Sequence, residues 1–152
     1  MAIRNYIQPP RSRSGPSAFQ SAVVWSALAV AITIQISYPL LDGNALRVIT
    51  FATVLSASLA MALHALLTFG RKYVINYLLI TLTFAFTIEQ IGLHTGWPFG
   101  YYKYDPSLGW AIAGVPLIVP FAWTMLAHPI LIAARRINSR WSAIIGGFGL
   151  MA

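Results

Sequence analysis

Long apolar blocks, each of about 20 residues or more, alternate along this chain with short breaks rich in glycine, proline and charge. The first runs from about Ala18 to Leu41 and ends near Tyr38-Pro39, and the second runs from Leu46 to Phe69. The third spans Tyr73 to about His94 and the fourth Trp110 to Ala134. A helix rises about 1.5 Å per residue, so each block can cross a hydrocarbon layer of about 30 Å. Asp42-Gly43-Asn44 has turn chemistry between the first two blocks, and Gly70-Arg71-Lys72 closes the second. Residues 95–109, rich in Pro, Gly and aromatic side chains, predict a structured loop. The pattern predicts an all-α, polytopic transmembrane helical bundle with four full spans and the start of a fifth.

The two ends differ from this pattern. Residues 1–17 carry Arg4, Arg11 and Arg13 among Pro, Ser and Gly, a composition that neither packs nor propagates a helix and predicts a disordered basic tail. The first block is too long for the core of a secretory signal, and no small-residue cleavage site follows it, so it reads as a retained span. At the other end Trp141 to Ala152 begins an apolar run too short to cross. The expectation is a transmembrane domain over residues 18–152 that is truncated at its C-terminus.

Composition narrows the class further. Hydrophobic residues make up 58% of the chain and charged residues only 9%, against roughly 25% charged in a soluble domain. So few charges cannot coat a soluble surface. With no cysteine, a disulfide framework, a thiolate metal site and a cysteine nucleophile are all excluded. The net charge of +7 comes from clusters beside the apolar blocks, which argues for membrane orientation rather than nucleic-acid binding. The tail, Arg71-Lys72 and the Arg135, Arg136, Arg140 group alternate with links holding only Arg47 and Lys103. By the positive-inside rule the N-terminus is expected in the cytoplasm, and the loop at 95–109 on the other side of the cytoplasmic membrane.

Candidate chemistry gathers between the third and fourth blocks. Glu89 falls about one turn before the third block ends, with Leu82, Ala85, Phe86 and Gly92 on its face at helical spacing. An ionisable group in a span is a functional candidate, because its burial is costly unless it is protonated, paired or near water. A carboxyl kept dry favours its uncharged form and can then donate a proton. Two readings of Glu89 stay open: a proton donor, or a structural hydrogen bond tying helices together. His64, His94 and His128 have no metal-ligand spacing such as two His four apart on one helix. His64 is expected to pack or hydrogen-bond on a small-residue face with Ser56, Ala57 and Ala60. Trp97 and Trp110 suit an interfacial aromatic belt. Tyr101, Tyr102, Tyr104 and Asp105 near a buried acid also suit the holding of a water, and aromatic faces suit a developing carbocation. Pro116 and Pro120, four apart, predict a kinked or locally open fourth helix beside the loop.

The series Glu89, Gly92, Thr95-Gly96, Pro98-Phe99-Gly100, Tyr102, Tyr104, Leu108-Gly109, Gly114-Val115-Pro116-Leu117, Pro120 and Trp123 resembles an integral-membrane carotenoid biosynthesis family. That family includes the bisanhydrobacterioruberin and γ-carotene hydratases. The resemblance implies addition of water, with no cofactor and no metal, to the terminal isoprenoid double bond of an acyclic carotenoid. On that reading Glu89 is the acid, and Tyr102, Tyr104 and Asp105 are the candidates for orienting water. His94, Thr95, Trp97, Phe99, Gly100, Pro116 and Trp123 are the candidates for substrate binding. The substrate is already dissolved in the bilayer and needs no charged docking site. Family members are longer and carry another acidic motif in further spans. The implied partners are therefore the polyene, membrane lipid and a second polypeptide supplying the C-terminal half, with no nucleic acid among them. The alternative open here is a non-catalytic membrane subunit that binds pigment or lipid, or braces a larger membrane complex. A proton or ion pathway rests only on Glu89 and the histidines.

Overall fold

The structure is a computed structural model that describes residues 17–138, 140–142 and 144–146. Four helices make the bundle: α1 (Ala18–Ser37), α2 (Gly43–Phe69), α3 (Arg71–Thr95) and α4 (Ile118–Ile137). All four are long and apolar enough to cross a membrane. Of the expected fifth span, Ser142 and residues 144–146 are helical. Residue 143, residues 147–152 and the basic tail at 1–16 lie outside the described residues.

Helix boundaries follow from local chemistry. Ser17 and Gln20 close a capping box at the start of α1, each side chain accepting the other's backbone N–H. Pro39 cannot continue that helix, and Tyr38–Leu40 tighten into a 3₁₀ turn. Asp42 takes the N-cap position of α2, so Gly43 and Asn44 begin the helix instead of completing a turn. Gly70 alone links α2 to α3, with φ of +87°. Arg71 and Lys72 are consequently the first turn of α3 and not a link.

The largest departure from expectation is at the fourth span. Residues from Trp110 onward were expected to be helical, but Ala111–Ile112 (β1) and Val115–Pro116 (β2) form a short antiparallel hairpin. Its two-residue turn holds Ala113 and Gly114 at φ of +48° and +85°, the positive values that a tight hairpin turn requires. Pro116 lacks an N–H and disfavours helical geometry at Val115, which keeps helix from spreading toward Trp110. Pro120 sits in the first turn of α4, where a missing N–H costs little. The two prolines therefore delay the helix and do not kink it. The proline inside α4 is Pro129, which leaves the Met125 carbonyl without its helical donor.

Packing centres on α4, which lies against both α2 and α3, while α1 packs on α2. Contacts run in register: Ser58 of α2 donates to the Phe121 carbonyl at 2.7 Å, and Tyr77 of α3 donates to the Thr124 carbonyl. His64 and His128 meet further along. Thus α4 runs alongside α2 and antiparallel to α3. Small residues allow the close approach, with Ala60, Ala65 and Ala85 fully buried. Apolar attraction between helices is weak in lipid, so such tight contacts and interhelical hydrogen bonds hold the bundle. Val48, Leu59, Leu79 and Ile80 point outward, as lipid-facing side chains do. Ala60→Leu is expected to destabilise the bundle by about 1–3 kcal/mol through overpacking, read as a lower unfolding midpoint in detergent. Leu59→Ala, at an exposed position, is expected to shift it by less than about 0.5 kcal/mol.

Candidate functional site

Glu89, 5% exposed, is buried six residues before the end of α3. Its Oε2 accepts hydrogen bonds from the hydroxyls of Tyr102 at 2.6 Å and Tyr104 at 2.5 Å. Its Oε1 accepts from the indole Nε1 of Trp123 at 3.0 Å. The carboxyl thus joins α3, the loop that follows it and α4. The indole can only donate, but each phenol can donate or accept. An ionised carboxyl takes all three donors, and a protonated one can turn its hydrogen onto a phenol oxygen. Either state keeps its partners, which is what a group that passes a proton on needs.

Local sequence explains how the donors arrive. Gly92, one turn after Glu89, is buried under Tyr102: a Cβ there would lie 2.6 Å from the phenol oxygen. Only glycine leaves the path for that ring to reach the carboxyl. At Gly96 the helix stops in a left-handed conformation with φ of +73°, and the chain turns back over the end of α3. The hairpin is fastened to the same helix by Gln90, whose side-chain nitrogen donates to the Ala113 carbonyl at 3.0 Å. Burial first, and then the adjacent Glu89 carboxyl, push both the Tyr102 and Tyr104 hydroxyls above the usual tyrosine range.

The remaining site candidates divide by position. Asp105 does not join Glu89: its Oδ1 accepts from the Ser107 N–H at 2.7 Å and caps a 3₁₀ turn. Those Ser107 hydrogen bonds, from side chain and backbone, hold its carboxyl below the usual range. Trp123, placed by sequence among the substrate-binding candidates, is a direct partner of Glu89. Phe99 and Phe84 stand edge-on to its ring, with centroids 6.4 and 6.0 Å away. His94 is exposed in the last turn of α3 and faces a cavity. Thr95 donates to the Ile91 carbonyl and accepts from the Trp97 N–H, so its hydroxyl shapes the turn. Trp97 is 62% exposed, and Gly100 has a positive φ in the same turn. Pro116 is buried in β2.

The cavity beside this cluster has a volume of about 570 Å³ and is lined by Leu93, His94, Tyr101, Tyr102, Lys103, Tyr104, Ala113 and Gly114. Glu89 is not in its wall. The two phenols are, and they stand between the acid and the open space.

The model of one protein family, described as carotenoid biosynthesis protein, matches residues 48–149. That stretch covers about two thirds of the sequence and contains Glu89, both phenols, the hairpin and Trp123. The chain belongs to the carotenoid biosynthesis protein family. Among curated proteins and among solved structures nothing matches. Membership in this family, together with four apolar helices, gives a membrane protein with a role in carotenoid biosynthesis.

Of two supporting features of this cluster, one is not visible in the sequence and the role of the other is not. Gln90 carried no signal, because its role depends on a hairpin read as helix. Gly92 stands on the face of Glu89 and in the series that carries the family resemblance, but its role under Tyr102 becomes visible only once the loop folds back. Gly92→Ala is expected to force the Tyr102 hydroxyl away from Glu89 and out of its half-buried position. Tyrosinate absorbance on raising the pH should then show one phenol moving back toward the ordinary value of about 10. Tyr104 should keep its resistance to ionisation.

Proposed function

We propose that this protein is a hydratase that adds water to the terminal isoprenoid double bond of an acyclic carotenoid, without a cofactor. The observation that carries this reading is the buried Glu89 carboxyl joined to two phenols that themselves line a cavity. Hydration starts with a proton placed on one alkene carbon, leaving a tertiary cation on the other. Protonated Glu89 supplies that proton through Tyr102 or Tyr104. The phenol gives its hydrogen to the alkene as the carboxyl replaces it, so the phenol ends unchanged and Glu89 ends ionised. Water then bonds to the cation, and its surplus proton returns along the same path to Glu89. The sum is alkene plus water to tertiary alcohol. The carboxyl is regenerated.

The aromatic faces of Tyr101, Tyr102 and Tyr104, which line the cavity, are suited to the positive charge that forms midway. Asp105 is too remote in its hydrogen bonding to share the proton path, and its exposed carboxylate is suited at most to drawing water toward the loop. The substrate reaches the cluster sideways from the bilayer. Eight of the ten Lys and Arg residues lie at the end of the bundle away from Glu89 or in the N-terminal tail. This supports an orientation with the N-terminus in the cytoplasm and the cluster toward the opposite face. A second polypeptide carrying a further acidic motif belongs to the same proposal as a partner.

Expression in a host that accumulates an acyclic carotenoid tests the reading. The expected result is pigment heavier by one water, with Glu89→Gln reducing product formation by about 10²–10⁴-fold, the usual contribution of a positioned acid. Pigment of unchanged mass that co-purifies with the protein would instead mean binding without chemistry.

A further inference from the structure

A second cavity lies at the opposite end of the bundle. It has a volume of about 520 Å³ and forms a cleft between α1 and α4, floored by α2. Its inner wall is apolar, with Leu28, Met61 and Ile132, whereas its mouth carries Gln20 in the first turn of α1 and Arg136 in the last turn of α4. That gradient has the shape of an amphiphile, with hydrocarbon inside and a polar head at the rim. His64 adds a polar point on the floor. Its Nδ1 shares a hydrogen with His128 Nε2 at 2.8 Å, while its Nε2 has no hydrogen-bond partner among the described residues.

Charge decides what kind of head fits. The whole sequence has three acidic residues, and all of them, Asp42, Glu89 and Asp105, belong to the other end of the bundle. The end with the cleft holds Arg71, Lys72, Arg135, Arg136 and Arg140 and no carboxylate among the described residues. Arg135 stacks over the Phe69 and Tyr73 rings, with its guanidinium carbon 6.0 and 5.7 Å from their centroids. Its buried Nε has no hydrogen-bond partner among the described residues. No counter-anion for these cations comes from the described chain, and a membrane offers one in its lipid phosphates.

We propose that the cleft between α1, α2 and α4 is a specific site for an anionic phospholipid, with one acyl chain against Leu28, Met61 and Ile132 and the phosphate on Arg136. The occupant is a lipid and not free phosphate, because most of the lining is hydrocarbon. A lipid seated there fills the gap between α1 and α4, which are otherwise joined through α2. This site is independent of the reaction at Glu89, which lies at the other end.

The test is native mass spectrometry of the full chain, purified in detergent and equilibrated with equal amounts of dioleoylphosphatidylglycerol and dioleoylphosphatidylcholine. Retention of phosphatidylglycerol should exceed that of phosphatidylcholine by roughly fivefold, the effect of one well-placed cation near a lipid phosphate. Arg136→Gln should equalise the two lipids, and Arg136→Lys should keep the preference. Ala133→Trp, at an exposed position in the cleft wall, should displace both lipids while leaving every cation in place. Equal retention by the parent protein overturns the proposal. So does a preference that survives both Arg136→Gln and Ala133→Trp, or displacement of phosphatidylglycerol by equimolar inorganic phosphate.

Discussion

A carboxyl group inside an apolar span must find hydrogen-bond donors within the protein, and the upper half of this bundle is arranged around that requirement. Glu89 alone could be met by a single neighbour. Instead its two oxygens collect Tyr102, Tyr104 and Trp123 from two other parts of the chain. An unpaired carboxylate in such a place is costly, so separating the loop or α4 from α3 carries that penalty. The loop is held down by the acid, and the acid is held by the loop. Gly92 is the steric condition for this arrangement, and Gln90, bonded to the hairpin, is its lateral brace.

The same logic continues down α4 in a second polar tier. His128, only 1% exposed, meets His64 and approaches Tyr73, while Tyr77 donates to the Thr124 carbonyl. Trp123 and His128 are five residues apart, about 7.5 Å along the helix axis. One helix thus supplies partners to polar groups from α2 and α3 at two depths. Between these points Tyr77 packs on Ala65 and Ala127, and buried Ser58, Ala60 and Thr124 are small enough for the backbones to approach. Polar groups therefore set the register of the bundle, and small residues let it close.

Charge is sorted along the same axis. The three acids lie toward the Glu89 face, while the clusters at Arg71-Lys72 and Arg135-Arg136 lie at the other. The face with the acid has the loop, the hairpin and the cavity lined by phenols. The basic face has the cleft beside α1. The acid cluster and the basic cleft thus lie at separate ends, joined along α2, α3 and α4.

Much of the architecture was legible in the sequence because crossing a membrane is a demand on length and hydropathy, and both are read one residue at a time. The four spans, Glu89 as the costly group and the tyrosines as its neighbours followed from such counting. The start of α4 did not. Hydropathy continues through Trp110 to Leu117 without a break, and only hairpin pairing and the geometry around Pro116 separate strand from helix there. The His64–His128 pair was equally hidden, since residues 64 apart meet only when α2 and α4 are packed in register.

By itself, then, the sequence determined the class of solvent this protein lives in, the number of apolar helices and the acid that must be satisfied. Tertiary structure decided which donors satisfy it. It turned Trp123 toward the carboxyl, left Asp105 in the open to cap a turn, and set the phenols between Glu89 and the cavity. The reason is physical: burial follows from composition along one helix, whereas hydrogen bonding between side chains depends on distances that exist only after several helices have packed.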